Sequence, residues 1–317
     1  MFNRASSPPA SAYAAWVAIC LIWGTTYLGI RICLETMPPW LMGGLRWLVA
    51  GTLLAGIELA RGHRLPSVSA WPGLAVIGLL FIVGGNGLVV WAEQWVPSGL
   101  TAVLLATSPF WMVGIEVVLP QGERPHGWTW LGLGIGFLGI VLLVWPDLAA
   151  SGAAGSGFLA GVVGLQLACL TWSLGSAYER RRGTEGEHTL GGAAVEMLIG
   201  GLVLTAIGTG AGEWHRVGLT ARSGGAFGYL VLVGSVVGYS SYIFTLKHLP
   251  VSTISLYSYI NPVIAVVLGV LLAGEPFGIR SVVASAIVLA GVAVVRATAP
   301  NEPPAIGVLD VTGDEPM

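Results

Sequence analysis

The chain has 317 residues, 55% of them apolar and 9% charged, against roughly a quarter charged in a soluble domain, and this excludes a soluble globular protein. A formal net charge of −2 offers no basic footprint for nucleic acid. The 47 glycines follow no G-X-Y period, which excludes collagen and favours helices that pack closely in lipid.

A bilayer core takes about 20 predominantly apolar residues per helix. Such stretches run over 12–32, 39–60, 71–94, 98–119, 127–146, 157–178, 189–211, 225–246, 251–273 and 278–296. None alternates as the strands of a membrane barrel would, so the sequence predicts an all-α integral membrane protein of ten transmembrane helices. The first run is too long for the apolar core of a signal peptide. The joints carry breaker chemistry, as in Pro38-Pro39, Pro97-Ser98-Gly99 and Gly274-Glu275-Pro276. Residues 1–11 and 297–317 are polar, Pro-rich tails with the composition of disordered segments. With the N-terminus inside, nine Lys and Arg residues fall in inner loops and four (Arg31, Arg216, Arg222, Arg280) in outer ones, so both termini are expected in the cytoplasm. Cys20, Cys33 and Cys169 are odd in number and sit in apolar runs, so they read as small buried hydrophobes.

The halves repeat. Cys20-Leu-Ile-Trp23 pairs with Cys169-Leu-Thr-Trp172 at an offset of 149, Pro97 with Pro250 and Pro109 with Pro262 at 153, and Gly122-Glu123 with Gly274-Glu275 at 152. A nearly constant offset marks a duplication, here of units 12–146 and 157–296. Five helices per unit require the second to enter the membrane inverted, the architecture of secondary transporters with a midplane site.

The motifs Trp23-Gly-Thr-Thr-Tyr27 with Ile30-Arg31, Pro38-Pro39, Arg46, Arg61-Gly62-His63, Gly85-Asn86-Gly87, Ala92-Glu93 and Pro97-Ser98-Gly99, followed by Glu196-Met197, Tyr259-Ile-Asn-Pro262 and Gly274-Glu275, stand in a specific order and spacing. In them the chain resembles the EamA family of the drug/metabolite transporter superfamily, and within it the YedA-like permeases, over about residues 12–296. The resemblance implies a ten-helix inner-membrane carrier with a central cavity, usually moving small metabolites or drugs outward. It implies no particular substrate.

Pro109 and Pro262 each stand twelve residues into their runs, near the bilayer centre, where they free the carbonyls of Leu105 and Ser258. Matched interruptions point to a transport site or to packing kinks. On the ninth helix Ser252, Ser255 and Tyr259 share one face and Thr253, Tyr257 and Asn261 another; a helix polar all round belongs inside the bundle, lining a cavity or bonding to its neighbours. Arg46 and Glu196 are the deepest ionisable groups and align at an offset of 150. Each lies about 5 Å from the midplane, on opposite sides. They either hold opposite ends of a polar substrate, with Glu196 as carrier of a coupling proton, or form a buried structural network. Trp23 and Trp172 are repeat mates able to stack on a ligand or to fill the core. Asn86 and Tyr239 complete the cavity set.

Other charges read as local. Arg31 and Glu35 have i, i+4 spacing for an ion pair, Glu58 reaches water near the inner surface, Glu275 complements the start of the tenth helix, and Glu93 is either a residue that the family resemblance marks for function or, by its depth, an interfacial one. Gly134-Ile-Gly136-Phe-Leu-Gly139 lacks the βαβ context of a dinucleotide site. Gly132-x-x-x-Gly136 reads instead as a close-packing stripe, matched by Ala284, Ser285, Ala290 and Gly291, either within the chain or between two copies. All five histidines fall in loops or at helix ends and no H-E-x-x-H occurs, which argues against an intramembrane enzyme. No motif demands a metal or cofactor. The expected partners are the bilayer, a small-molecule substrate and a coupling proton, with a homodimer as the other use of the glycine stripe.

Overall fold

The structure is a computed structural model that describes residues 9–118, 127–149, 153–182, 190–249, 257–275 and 278–297. Residues 1–8 and 298–317 of the expected tails, Ser252, Thr253, Ser255 and the side chains of Glu116 and Tyr259 fall outside it, while Ala10 and Ser11 already belong to the first helix. Among the described residues there is helix and no strand. The helices are α1 (Ala10–Cys33), α2 (Pro39–Ala60), α3 (Val68–Ala92), α4 (Ser98–Leu105 and Ser108–Val118), α5 (Gly127–Ala149), α6 (Ala153–Arg182), α7 (Leu190–Gly210), α8 (Ala221 to His248), α9 (Tyr257–Ala273) and α10 (Ile279–Ala297). Seven of these (α1–α4, α6, α7 and α8) are long and apolar enough to cross a membrane, and shorter apolar stretches lie in α5, α9 and α10.

Two helices hold features that periodicity did not announce. Leu79–Gly87 in α3 and Leu230–Val237 in α8 are π-helical, and the two segments occupy corresponding positions in the halves. A π segment shifts the hydrogen-bond ladder by one residue and leaves carbonyls to be satisfied otherwise; Asn86 Nδ2 donates to the Phe81 carbonyl at 3.0 Å. α4 breaks after Leu105, where Pro109 withholds its N–H. The freed Leu105 carbonyl accepts from Ser108 Oγ at 2.7 Å, and that of Leu104 from Thr107 Oγ1 at 2.6 Å. Pro262, by contrast, lies inside the described run of α9.

Glycine decides how the helices meet. A Cβ at Gly44 would lie 2.5 Å from Thr205 N, at Gly51 2.9 Å from Met197 Cβ, at Gly201 2.7 Å from Leu48 N and at Gly208 2.9 Å from Leu41 N. As residue numbers rise on α2 they fall on α7, so the pair is antiparallel. α5 and α10 pair in the same way: a Cβ at Gly132 would meet Val295 N at 2.8 Å, one at Gly139 Val288 N at 2.7 Å, and one at Gly291 the Gly136 Cα at 2.6 Å. The Gly132-x-x-x-Gly136 stripe is thereby used within the chain. In lipid such contacts rest on dispersion between close backbones, and any side chain at these points must push the pair apart. Gly201→Leu is therefore expected to lower the thermal midpoint of the detergent-solubilised protein by many degrees, whereas the same change at Gly210, which has nothing within 4 Å of its Cβ position, leaves it nearly unchanged. Melting followed by size-exclusion chromatography checks both.

Candidate functional site

The antiparallel register places Arg46 and Glu196 on paired helices seven residues apart, about 10 Å along the pair at 1.5 Å per residue. Both are buried, at 3% and 6% exposure. α8 crosses both. Arg46 Nε donates to Ser235 Oγ at 2.8 Å, and Tyr239 OH, one turn further along, donates to Glu196 Oε2 at 2.9 Å. Among the described residues Arg46 faces no carboxylate within ion-pair distance; its guanidinium carbon lies 4.8 Å from the Trp47 ring centroid.

Around these charges stands a ring cluster drawn from both halves. The mates Trp23 and Trp172 meet edge to face with centroids 6.5 Å apart. Trp23 also contacts Tyr242 and Tyr257, each at 5.3 Å, Phe81 lies 4.6 Å from Trp172, and Tyr239 bridges Trp47 to Tyr242 at 6.4 and 6.1 Å. Trp23, Trp172, Tyr242 and Tyr257 are only half-buried although they lie at the centre of the bundle. The remaining sequence candidates serve the scaffold: Asn86 satisfies its own π segment, and the Asn261 amide, oriented as its neighbours require, donates to the Cys20 carbonyl at 2.9 Å, tying α9 to α1. Pro262 is buried beside it, and Pro109 stands at the break of α4. The three cysteines are free and buried.

Several charges lie elsewhere than their spacing suggested. Arg31 does not pair with Glu35; its Nη1 donates to the Glu93 carbonyl at 2.5 Å, while Glu35 meets Arg222 at 3.3 Å. Glu58 is buried and capped by His63 Nδ1 at 2.9 Å rather than open to water. Glu93 is wholly buried within the protein. Glu275 serves α4, not α10: its carboxylate accepts from Ser98 N at 2.8 Å and Gly99 N at 3.2 Å. Glu213, which sequence reasoning passed over, does the same for α2, accepting from Leu41 N at 2.9 Å. Both capped helices follow a proline at N-cap, Pro38 and Pro97, which has no side-chain acceptor, so the second half supplies the carboxylate that the first half lacks. Thr36 adds to this junction, donating through Oγ1 to Ser223 Oγ at 2.7 Å and accepting from Gly218 N at 2.8 Å. These contacts form a polar latch between the halves at the end of the bundle holding the α1–α2 joint.

Apolar helices with broken and π-helical segments, gathered around an aromatic centre with one buried cation and one buried anion, have the build of a membrane carrier. A family model described as the EamA-like transporter family matches residues 10–145 and 159–297, and the chain belongs to that family of membrane transporters. YedA, an uncharacterised inner membrane transporter of Escherichia coli K12, is 38% identical over 265 residues, 83% of either chain. YvbV, an uncharacterised transporter of Bacillus subtilis strain 168, is 25% identical over 81% of this chain and 82% of its own. A solved crystal structure with 21% identity superposes on 91% of this chain and 98% of its own at a TM-score of 0.63, a likeness of fold.

Removing a capping carboxylate leaves buried N–H groups without an acceptor. Glu275→Ala and Glu213→Ala are each expected to destabilise by about 1–2 kcal/mol, read as a lower midpoint in denaturant titrations. An unchanged midpoint in either would return that carboxylate to a peripheral role.

Proposed function

We propose that this chain is a secondary transporter of ten membrane-spanning helices in two inverted halves. It exports small amino-acid-like or amphipathic solutes across the inner membrane by alternating access around a midplane cavity. The observation that carries the reading is the pair Arg46 and Glu196, opposite charges about two turns apart on mated helices, each met by a side chain of α8, Ser235 and Tyr239. The antiparallel packing of α2 with α7 and of α5 with α10 supports inversion, because a two-fold axis in the membrane plane makes mates run against each other.

The anion-binding chemistry follows from the donors that Arg46 does not spend. A guanidinium carries five N–H donors in a planar fork, and Arg46 spends one of them on Ser235. The rest suit a solute carboxylate, which accepts from arginine in bidentate fashion. Glu196 complements an ammonium group and is the group on which a proton exchanges with the solute. Trp23, Trp172, Tyr242 and Tyr257 offer ring faces to the apolar body. No P-loop occurs in the sequence, and an ion gradient is taken as the drive. The latch closes one end; with both termini cytoplasmic, as the nine-to-four distribution of Lys and Arg indicates, that end faces outward.

Two experiments test this. In sealed vesicles given a panel of amino acids and amphipathic amines, Arg46→Gln weakens binding of carboxylate-bearing solutes by about tenfold or more, the loss of one or more charge-assisted bonds. Glu196→Gln abolishes pH-driven movement but keeps counterflow exchange. Unchanged affinity in the first and retained accumulation in the second contradict the assignment. For topology, an impermeant thiol reagent applied to intact cells labels Leu219→Cys and spares His63→Cys; the reverse pattern inverts the orientation.

A further inference from the structure

One carboxyl group remains that neither the substrate centre nor the helix caps use. Glu93 closes the C-terminus of α3 and is 0% exposed. Neither of its carboxylate oxygens has a hydrogen-bond partner. The cation closest to hand is spent elsewhere: the Arg31 guanidinium donates to the backbone carbonyls of Glu93 and Gln94, at 2.5 and 3.5 Å, not to the carboxylate. The charged and titratable groups in its field are Tyr27, Arg31 and Cys33 on α1, Arg46 on α2 and Glu275 at the α9–α10 joint. On α4 the hydroxyls of Ser98 and Thr101 are also buried without partners.

We propose that Glu93 is a proton-binding site distinct from the substrate centre, and that the proton it takes up and releases closes and opens the polar latch. An ionised carboxylate buried without hydrogen bonds is costly, and the neighbouring Glu275, half-buried, raises that cost when both are charged. Glu275 is compensated by two backbone N–H groups. Glu93 has no such donors, so in the latched arrangement the proton belongs on Glu93. When its O–H bond gives that proton to water reaching it from the latch end, the new carboxylate competes for Arg31. The segment just beyond Arg31 is the latch itself: Cys33 Sγ lies 3.7 Å from the Ser223 carbonyl, Glu35 meets Arg222 and Thr36 meets Ser223. Drawing Arg31 from the α3 carbonyls to the carboxylate therefore pulls on the end of α1 that α8 holds. Described residues contain no group of three side chains suited to a metal ion, and a single orphaned carboxyl is enough for a proton.

The site has a native reporter, since Cys33 is wholly buried at the latch. In the full chain with Cys20→Ala and Cys169→Ser, reconstituted in sealed vesicles, the rate at which an impermeant thiol reagent labels Cys33 is measured from acidic to alkaline buffer. Each rate is divided by that of an exposed Leu219→Cys control lacking Cys33. The normalised rate rises by about tenfold or more toward alkaline buffer, because one proton linked to opening changes the open population by up to about tenfold per pH unit. Glu93→Gln, permanently neutral, keeps Cys33 protected throughout; Glu93→Asp retains the rise; Glu196→Gln leaves it intact, which separates this site from the substrate centre. A wild-type rate without pH dependence, or one that Glu93→Gln reproduces, overturns the proposal. So does a profile that moves when sodium replaces choline at fixed pH, since that assigns the site to a metal cation. Should Glu93→Gln fail to fold, infrared titration of the otherwise unmodified protein decides: a carboxylic-acid carbonyl band that vanishes over the same pH range as latch opening is required, and its absence is contrary.

Discussion

The approach of α2 to α7 through Gly44, Gly51, Gly201 and Gly208 fixes where the two deep charges lie, because backbones this close admit one register only. Sliding the pair by one residue would set a side chain where only hydrogen fits. That register places Arg46 and Glu196 on opposite sides of the crossing point, and α8 then meets one with Ser235 and the other with Tyr239. α3 is fitted to the same junction, since a Cβ at Gly78 would come within 2.8 Å of the Glu196 carbonyl. The placing of these two buried charges is thus a consequence of glycine placement on three helices.

A second constraint is the absence of water inside the bilayer, which obliges the chain to satisfy its own polar groups. Wherever a helix is broken or widened, a local side chain answers: Ser108 at the α4 break, Asn86 in the α3 π segment, Asn261 across to α1. At the starts of α2 and α4, where Pro38 and Pro97 offer no side-chain cap, a carboxylate arrives from the other half. These remote caps bond the halves together at one end, so helix stability and latch closure depend on the same contacts. Against that rule of full satisfaction, Glu93 stands out because both its oxygens are left over.

Much of this was legible in the sequence. Seven of the ten expected spans fall on helices long and apolar enough to cross a membrane, and α2 begins and ends at the residues expected from Pro38-Pro39 and the charged run after Ala60. The separation of Arg46 and Glu196 follows from their positions within their runs; the repeat paired Trp23 with Trp172, but their edge-to-face contact was not foreseen. Interactions between residues distant in sequence did not follow. Arg31 and Glu35 have helix spacing, yet each finds a better partner on another helix. Glu275 sits before Pro276, so it reads as a cap for α10, while its carboxylate reaches α4. π segments carry no mark in apolar periodicity, because the shift is by one residue in a run that is apolar on every side. Ser235 is one serine among valines and glycines, and only the fold shows that Arg46 reaches it. Repeat pairing did hold a signal for the π segments: had Leu79–Gly87 been read as a break, its mate Leu230–Val237 would have followed.

The central claim, a single site between halves that open at alternate ends, is tested most directly by distances measured at both ends of one molecule. Spin labels at Trp95→Cys and Leu219→Cys report the latch end, and labels at Leu59→Cys and His248→Cys the opposite end, in protein without its three native cysteines; all four positions are exposed. Pulsed electron resonance in lipid, across pH and with candidate solutes, should find two distances for each pair, the latch pair short when the opposite pair is long and long when the opposite pair is short. One unvarying distance at each end, or both ends wide together as in a channel, would contradict it.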